Sequence, residues 1–347
     1  MNLRIGIVTN LWAGPTATFI RDVVENLRFA GVNVTVINHR LNYAAMSMEC
    51  LTRSALVDLF DAQFIAPAGI VTAFSPRLAP YVVTVHRWDI LEFPYRYPIA
   101  KFATSATLRG ASGIIVVGRT ILSEVMKFAS PTTNVKVIPN AVDIRRFTPE
   151  LGSDSLKRSL NIADNHKIIL SVGSLIPRKG HQYLFQALAL VLKDYSSCSL
   201  VIVGEGPLHY RLKQLTSDLR IADRVKFVGA VEDSILPRYY EMADVFVMPS
   251  ISEGHCVAIL EAMASGKPVV ASDIPANRES IVQGKTGFLV AVANPKALAE
   301  SIVELLRDDR LRRRLGRCAR TKAVREFGWK RRVNSLIAFY ESVLSSN

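Results

Sequence analysis

Short runs of Val, Ile and Leu recur along the chain, and between them apolar residues return every third or fourth position. Residues 3–9, 32–37, 70–74, 82–86, 113–117 and 135–138 read as strands, with helices over 16–29, 99–109 and 119–128. The runs are apolar throughout rather than alternating, as in parallel strands covered on both faces. The pattern restarts at 168–172 and continues through 200–203, 225–228, 245–248, 269–271 and 288–290. Two doubly wound, Rossmann-like α/β domains are predicted. The polar, turn-rich stretch 139–149 divides them, giving domains over 1–148 and 149–328. An amphipathic helix follows the Phe327-Gly328 break and occupies 329–347.

A chain of 347 residues with 49% apolar side chains can fill two cores of ordinary size. No apolar run approaches the roughly 18 residues of a membrane span. The N-terminus enters a strand directly without the charged and apolar regions of a signal peptide, so a cytoplasmic protein is expected. Cys50, Cys198, Cys256 and Cys318 lack the spacing of a disulfide framework or zinc site and read as reduced thiols. Net charge is +13, and residues 307–332 hold twelve Lys/Arg against Asp308, Asp309 and Glu326. Arg310, Arg312, Arg313, Arg314 and Arg317 read first as a solvated helix face, and second as a surface for anionic lipid headgroups. No base-stacking aromatic pattern accompanies them, which argues against nucleic acid.

The candidate chemistry lies at the predicted carboxyl ends of strands, where open α/β sheets bind their ligands. Glu253 precedes, and Glu261 lies within, an apolar helix that stops at Ser265-Gly266-Lys267-Pro268. Eight helical positions span roughly 12 Å, too far for two carboxylates flanking one glycosidic bond. The spacing suits opposite ends of an extended ligand, with a helix N-terminus between them aimed at an anion. A nucleotide-sugar has that layout. Glu261 is ringed by apolar residues, so either a protein cation or a pair of sugar hydroxyls must satisfy it.

Gly173 through Gly180 leads from a strand into a helix and brings Arg178 and Lys179, which suit a diphosphate. Gly204 and Glu205 form a turn after the strand 200–203. His86 ends a strand in the first half, with Asp89 placed to orient it for a polar contact to a reacting sugar. Residues 10–14 end on Gly14, which lets backbone approach a ligand. There is no Asp-x-Asp and no His/Cys/Glu cluster, so no metal is expected. Tyr95, Arg96, Tyr97 and Lys101 read either as ordinary helix surface or as a basic-aromatic lip for a lipid headgroup.

In this order and spacing, five segments resemble the family 4 retaining glycosyltransferases of GT-B architecture. They are Glu253 to Glu261 with the following Ala-Met-Ala-Ser-Gly-Lys-Pro, Pro177-Arg178-Lys179-Gly180, Val203 to Pro207, Ile138 to Asp143 and Gly284 to Val290. The resemblance covers nearly the whole chain. It implies two Rossmann-like domains facing an interdomain cleft, with the final helix crossing back to the first domain. It further implies that Glu261 holds ribose hydroxyls, Glu253 holds the sugar, backbone N–H groups of Gly254, His255, Cys256 and Val257 face sugar and phosphate, and Lys179 stabilises the leaving diphosphate. His86 then stands beside the anomeric centre. The chain departs from the family pattern at Ser174, where an arginine is usual and Arg178 is the nearest replacement. It departs again at Gly14, which stands without a paired glycine, and at Ala276-Asn277.

The implied activity is metal-independent, retaining transfer from a nucleotide-sugar, UDP- or GDP-hexose foremost, with no cofactor. The implied acceptor is a lipid or saccharide, met at or near an anionic membrane surface on the cytoplasmic side. A doubly wound fold also hosts two other classes. A nicotinamide oxidoreductase needs G-x-G-x-x-G and an acid some 20 residues on, and neither half supplies them. A non-catalytic nucleotide-sugar-binding or scaffold protein would keep the fold without turnover.

Overall fold

The computed structural model describes residues 3–10, 15–39, 42–76, 78–149 and 154–346. The chain divides into two compact units, Met1–Asn140 with Trp329–Asn347, and Ala141–Gly328. The division falls at the start of the polar stretch rather than at 148/149, because Val142 and Phe147 already belong to the second unit's core.

The first unit carries β1 Arg4–Thr9, β2 Asn33–Asn38, β3 Leu59–Gln63, β4 Tyr81–Val85, β5 Gly113–Val116 and β6 Asn134–Val137. All pairings are parallel, in the order β2-β1-β3-β4-β5-β6. One expectation fails here. Residues 70–74 form a helix, Ile70–Phe74, not a strand, and β3 occupies the place expected for it. The β3 segment escapes an apolar-run criterion because Asp61 and Gln63 interrupt it. Both are buried, and Asp61 accepts hydrogen bonds from Thr84 Oγ1 (2.8 Å), Gln63 Nε2 (2.9 Å) and the distant Tyr340 hydroxyl (2.7 Å). Tyr340 belongs to the helix Trp329–Ser345, whose Phe339 and Val343 pack directly over Gly113. From the same helix, buried Arg332 donates to the Ile138 carbonyl at 2.8 Å.

The second unit carries β7 Lys167–Val172, β8 Cys198–Val203, β9 Val225–Gly229, β10 Val245–Met248, β11 Val269–Ser272 and β12 Gly287–Val290. Its order is β12-β11-β10-β7-β8-β9, again wholly parallel. Alternate residues feed two cores: Ile168, Leu170 and Val201 enter one, and Ile169, Leu200 and Ile202 the other. Burial on both faces is why these strands read as unbroken apolar runs.

The basic segment is less solvated than its composition suggests. Arg312 is buried, bridging Asp309 at 2.6 Å and Asp244 at 3.4 Å and donating to the Leu305 carbonyl at 3.0 Å. Arg320 donates to the carbonyls of Ile144, Phe147 and Ala264. Arg310, Arg313, Arg314 and Arg317 are exposed. Among the cysteines, Cys50, Cys198 and Cys256 are buried thiols and Cys318 is half-buried. Among the described residues, no helix is long and apolar enough to cross a membrane.

Candidate active site

Three strand ends converge in the second unit, because β10, β7 and β8 are neighbours. Their loops are tied main chain to main chain. Gly173 N–H donates to the Val203 carbonyl (2.9 Å), Leu175 N–H to that of Glu205 (2.8 Å), and Ile251 N–H to that of Arg178 (2.7 Å). The approach is too close for side chains at several positions, Gly204 and Gly180 foremost. A Cβ at Gly204 would stand 2.2 Å from the Gly173 oxygen, and one at Gly180 would stand 2.1 Å from the Pro249 oxygen. Both have positive φ, +132° and +68°, where L-residues are strained anyway.

Arg178 and Lys179 lie on a 3₁₀ turn, Pro177–Lys179, ahead of the helix His181–Asp194 rather than in its first turn. Their positive charge is answered by Glu253. Lys179 Nζ donates to Glu253 Oε1 at 2.7 Å, Ser250 Oγ donates to the same oxygen at 2.7 Å, and Arg178 Nη1 donates to Oε2 at 3.0 Å. Burial pushes the Glu253 carboxyl up, but the charges of Lys179 and Arg178 outweigh it and hold its pKa below the ordinary value. Burial pulls the Lys179 ammonium down, and Glu253 more than restores it. Both groups stay charged in a water-poor setting, where each Coulombic interaction counts for more than in bulk solvent. The aliphatic end of Lys179 passes Gly173, whose hypothetical Cβ would touch its Cε at 3.4 Å.

The helix Val257–Ala264 begins directly after this cluster, with Gly254, His255 and Cys256 buried ahead of it. Its N-cap, Cys256, makes no side-chain capping bond, and the first N–H groups of a helix have no intrahelical acceptor. Burial raises the Cys256 thiol to about 11, so it packs rather than reacts. His255 Nε2 lies 3.3 Å from Ser280 Oγ. Glu261, one turn into the helix, accepts from the Tyr240 hydroxyl at 2.6 Å, a partner that was not among those expected. Glu205 accepts from Ala230 N–H at 3.3 Å and is exposed.

His86 lies in the other unit, at the end of β4. Its ring stacks on Phe64 with centroids 4.1 Å apart and planes 24° apart. Phe64 sits at φ 77°, ψ 150°, a region that costs a non-glycine residue on the order of 1–3 kcal/mol. Asp89 does not reach the imidazole. Its Oδ2 accepts backbone N–H bonds from Ile65 (2.9 Å) and His86 (3.2 Å), so it fixes the loop rather than the ring. Burial, reinforced by Arg332, lowers the His86 pKa to about 3, and Nε2 is buried with no partner among the described residues. Burial raises the Asp89 carboxyl to about 7 against those backbone bonds and one from its own N–H.

Beside this corner, Asn10, Tyr43, Phe64, Ile70, Trp88 and Phe93 line a cavity of about 520 Å³. Gly14 lies outside the described residues. Ser250, Tyr240 and Phe64 carry no sequence signal of the kind that marked the acids. Only the three-residue spacing from Ser250 to Glu253 hints at their contact.

The family profile for glycosyl transferases group 1 matches residues 153–322, and that for glycosyltransferase family 4 matches residues 40–146. An uncharacterised glycosyltransferase of Methanocaldococcus jannaschii is 30% identical over 270 residues, 76% of this chain and 69% of that one. A GDP-mannose-dependent alpha-(1-6)-phosphatidylinositol monomannoside mannosyltransferase of Mycolicibacterium smegmatis is 30% identical over 68% of this chain and 63% of its own length. The matched stretches thus span about two thirds of those relatives. Anabaena HepE, solved in complex with UDP and glucose, superposes with a TM-score of 0.83 at 22% identity over 98% of this chain and all of that one. The chain belongs to the family 4, group 1 glycosyltransferases, and its paired parallel sheets are those of the GT-B fold.

Proposed function

We propose that the protein transfers a hexose from a nucleotide-sugar to a lipid or saccharide acceptor, with retention of configuration and without a bound metal. One observation carries this reading: a buried carboxylate, Glu253, held by Lys179 and Arg178 at the N-terminus of the helix Val257–Ala264. An ammonium has three donors and only one is directed at Glu253, so phosphoryl oxygens can share the cation. Main-chain N–H groups at Gly254 to Val257 suit the same anion. Glu253 then meets sugar hydroxyls with lone pairs its partners leave unused, while Glu261, steadied by Tyr240, meets the ribose. A diphosphate in this setting has positive charge on side chains, which is why no metal is required. His86, neutral across the physiological range, offers a polar contact without adding charge.

UDP- and GDP-hexoses are the donors to test first, since HepE was solved with UDP and the mycobacterial relative is named as GDP-mannose-dependent. The latter is named for a phosphatidylinositol monomannoside, which supports a lipid acceptor at an anionic membrane surface. The test is thermal shift with UDP-, GDP-, ADP- and dTDP-sugars, then NMR of the product's anomeric centre with and without chelator. One donor class is expected to raise the melting point, because ligand bound to the native state stabilises it. The product is expected to keep the donor's configuration, and chelator to change nothing. No shift with any donor, or an inverted product, would overturn the reading.

A further inference from the structure

The segment Phe93–Arg109 presents a surface that none of the chemistry above uses. A 3₁₀ turn, Phe93–Tyr95, packs against the helix Pro98–Arg109, which buries Ala100, Thr104, Thr107 and Leu108. The opposite side stays apolar as well. Ile99 is 71% exposed and Phe102 66%, and Tyr95 and Tyr97 are 55% and 59% exposed. Ile99 and Phe102 stand one helical turn apart, so they share a face. Arg96, Lys101 and Arg109 are exposed around them, and the Arg96 guanidinium lies 6.0 Å from the Tyr97 ring centre. The adjoining carboxylates are already matched: Glu92 pairs with Arg87, and Glu124 with Lys127 and the Tyr95 hydroxyl. The surface is therefore an apolar centre with tyrosines at its edge and uncancelled positive charge around it. An interfacial segment on an anionic bilayer has this composition, with aromatic rings at headgroup level and basic groups on phosphates. The surface also adjoins the cavity, since Phe93 packs on Trp88 at 5.7 Å and both rings line it.

We infer that Tyr95, Arg96, Tyr97, Ile99, Lys101 and Phe102 seat the first unit on an anionic lipid surface. Ile99 and Phe102 enter the acyl boundary, Arg96 and Lys101 meet headgroup phosphates, and a lipid acceptor reaches the aromatic cavity along Phe93 and Trp88. The inference rests on the lipid-acceptor reading above and adds the surface that performs it.

The test is co-sedimentation of the full chain with vesicles of pure phosphatidylcholine or of phosphatidylcholine with phosphatidylglycerol. Anionic vesicles are expected to retain at least about tenfold more protein, less so as salt rises. Ile99→Asp with Phe102→Asp is expected to lose at least about tenfold. Arg96→Gln and Lys101→Gln are each expected to lose about fivefold on anionic vesicles only. Unchanged melting points certify that the variants fold. Equal binding to both vesicle types, no binding to either, or full binding by the double aspartate variant overturns the inference. So does loss confined to a variant of Arg310, Arg313, Arg314 and Arg317. Donor-induced thermal shift, measured without vesicles, separates the two readings. A shift without vesicle binding overturns only the docking surface, and vesicle binding without any shift overturns the donor reading.

Discussion

Glu253 and His86 pose the same physical problem and solve it in opposite ways. Each is an ionisable side chain just beyond the carboxyl end of a parallel strand, and burial disfavours the charged form of each. Around Glu253, Lys179 and Arg178 supply opposite charge, so the carboxylate stays ionised and its pKa falls. Around His86 burial is reinforced by the charge of Arg332, which has the same sign as an imidazolium, so the ring stays neutral down to about 3. Burial by itself does not decide the charge state; the partner does. The chain thereby holds a fixed ion cluster in one unit and a neutral polar ring in the other, both next to carboxyl ends of strands, the place where open α/β sheets in general bind ligands.

Removing one partner from the ion cluster should give the largest effect. Lys179→Met leaves a buried carboxylate with only Arg178 and Ser250, and about 3 kcal/mol or more of stability should be lost. Lys179→Met combined with Glu253→Met should recover most of that loss, whereas His86→Leu, which strands no charge, should stay within about 1 kcal/mol of wild type. Urea unfolding of the four proteins checks this, and equal losses at Lys179 and His86 would erase the contrast. Next comes the scaffold beneath the cluster. Gly204→Ala drives a Cβ to 2.2 Å from the Gly173 oxygen at φ +132°, and about 2 kcal/mol should be lost in the same assay.

The third test uses pH. His86 binds its proton less readily folded than unfolded, so its contribution is present above about 6.5 and is lost as pH falls toward 3. Asp89, raised to about 7, acts oppositely: its contribution is present below about 4 and is lost as pH climbs to 7. The two slopes oppose each other between about pH 4 and 6.5. Asp89→Asn should therefore make stability climb more steeply with pH over that window, by up to about 1.4 kcal/mol per pH unit, as read by urea unfolding at several pH values. An unchanged slope would mean that Asp89 is not held protonated. The smallest effect is expected at Arg178, whose side chain is 35% exposed. Arg178→Gln should cost about 1 kcal/mol or less while weakening donor binding measured by calorimetry.

The periodicity of apolar runs was enough to read both sheets except at β3, and the reason lies in two residues. Asp61 and Gln63 make a buried strand look polar, and the group that satisfies Asp61 is Tyr340, which lies 279 positions further along the chain. No local pattern reports a partner that distant. In the same way, β-branched residues at 70–74 suggested a strand where tertiary context makes a helix. The acids and basic pair of the second unit were legible because turn residues and an apolar helix frame them. Their mutual contact was not, since Lys179 and Glu253 stand 74 positions apart. Tyr240, Ser250 and Phe64 are common residue types whose roles come only from where the backbone delivers them. Of the five arginines expected on a solvated helix face, Arg312 alone turns inward, onto Asp244, Asp309 and the Leu305 carbonyl, partners that composition cannot show.

The central claim is that the Glu253 carboxylate serves transfer itself and not only the cohesion of its loops. It is tested most directly by the rate of sugar transfer at saturating donor for Glu253→Gln beside wild type, on protein shown to be folded and still stabilised by donor. The account requires a fall of about 10²-fold or more, equivalent to roughly 2.7 kcal/mol of transition-state stabilisation. A folded, donor-binding Glu253→Gln protein that turns over within a few-fold of wild type would contradict it.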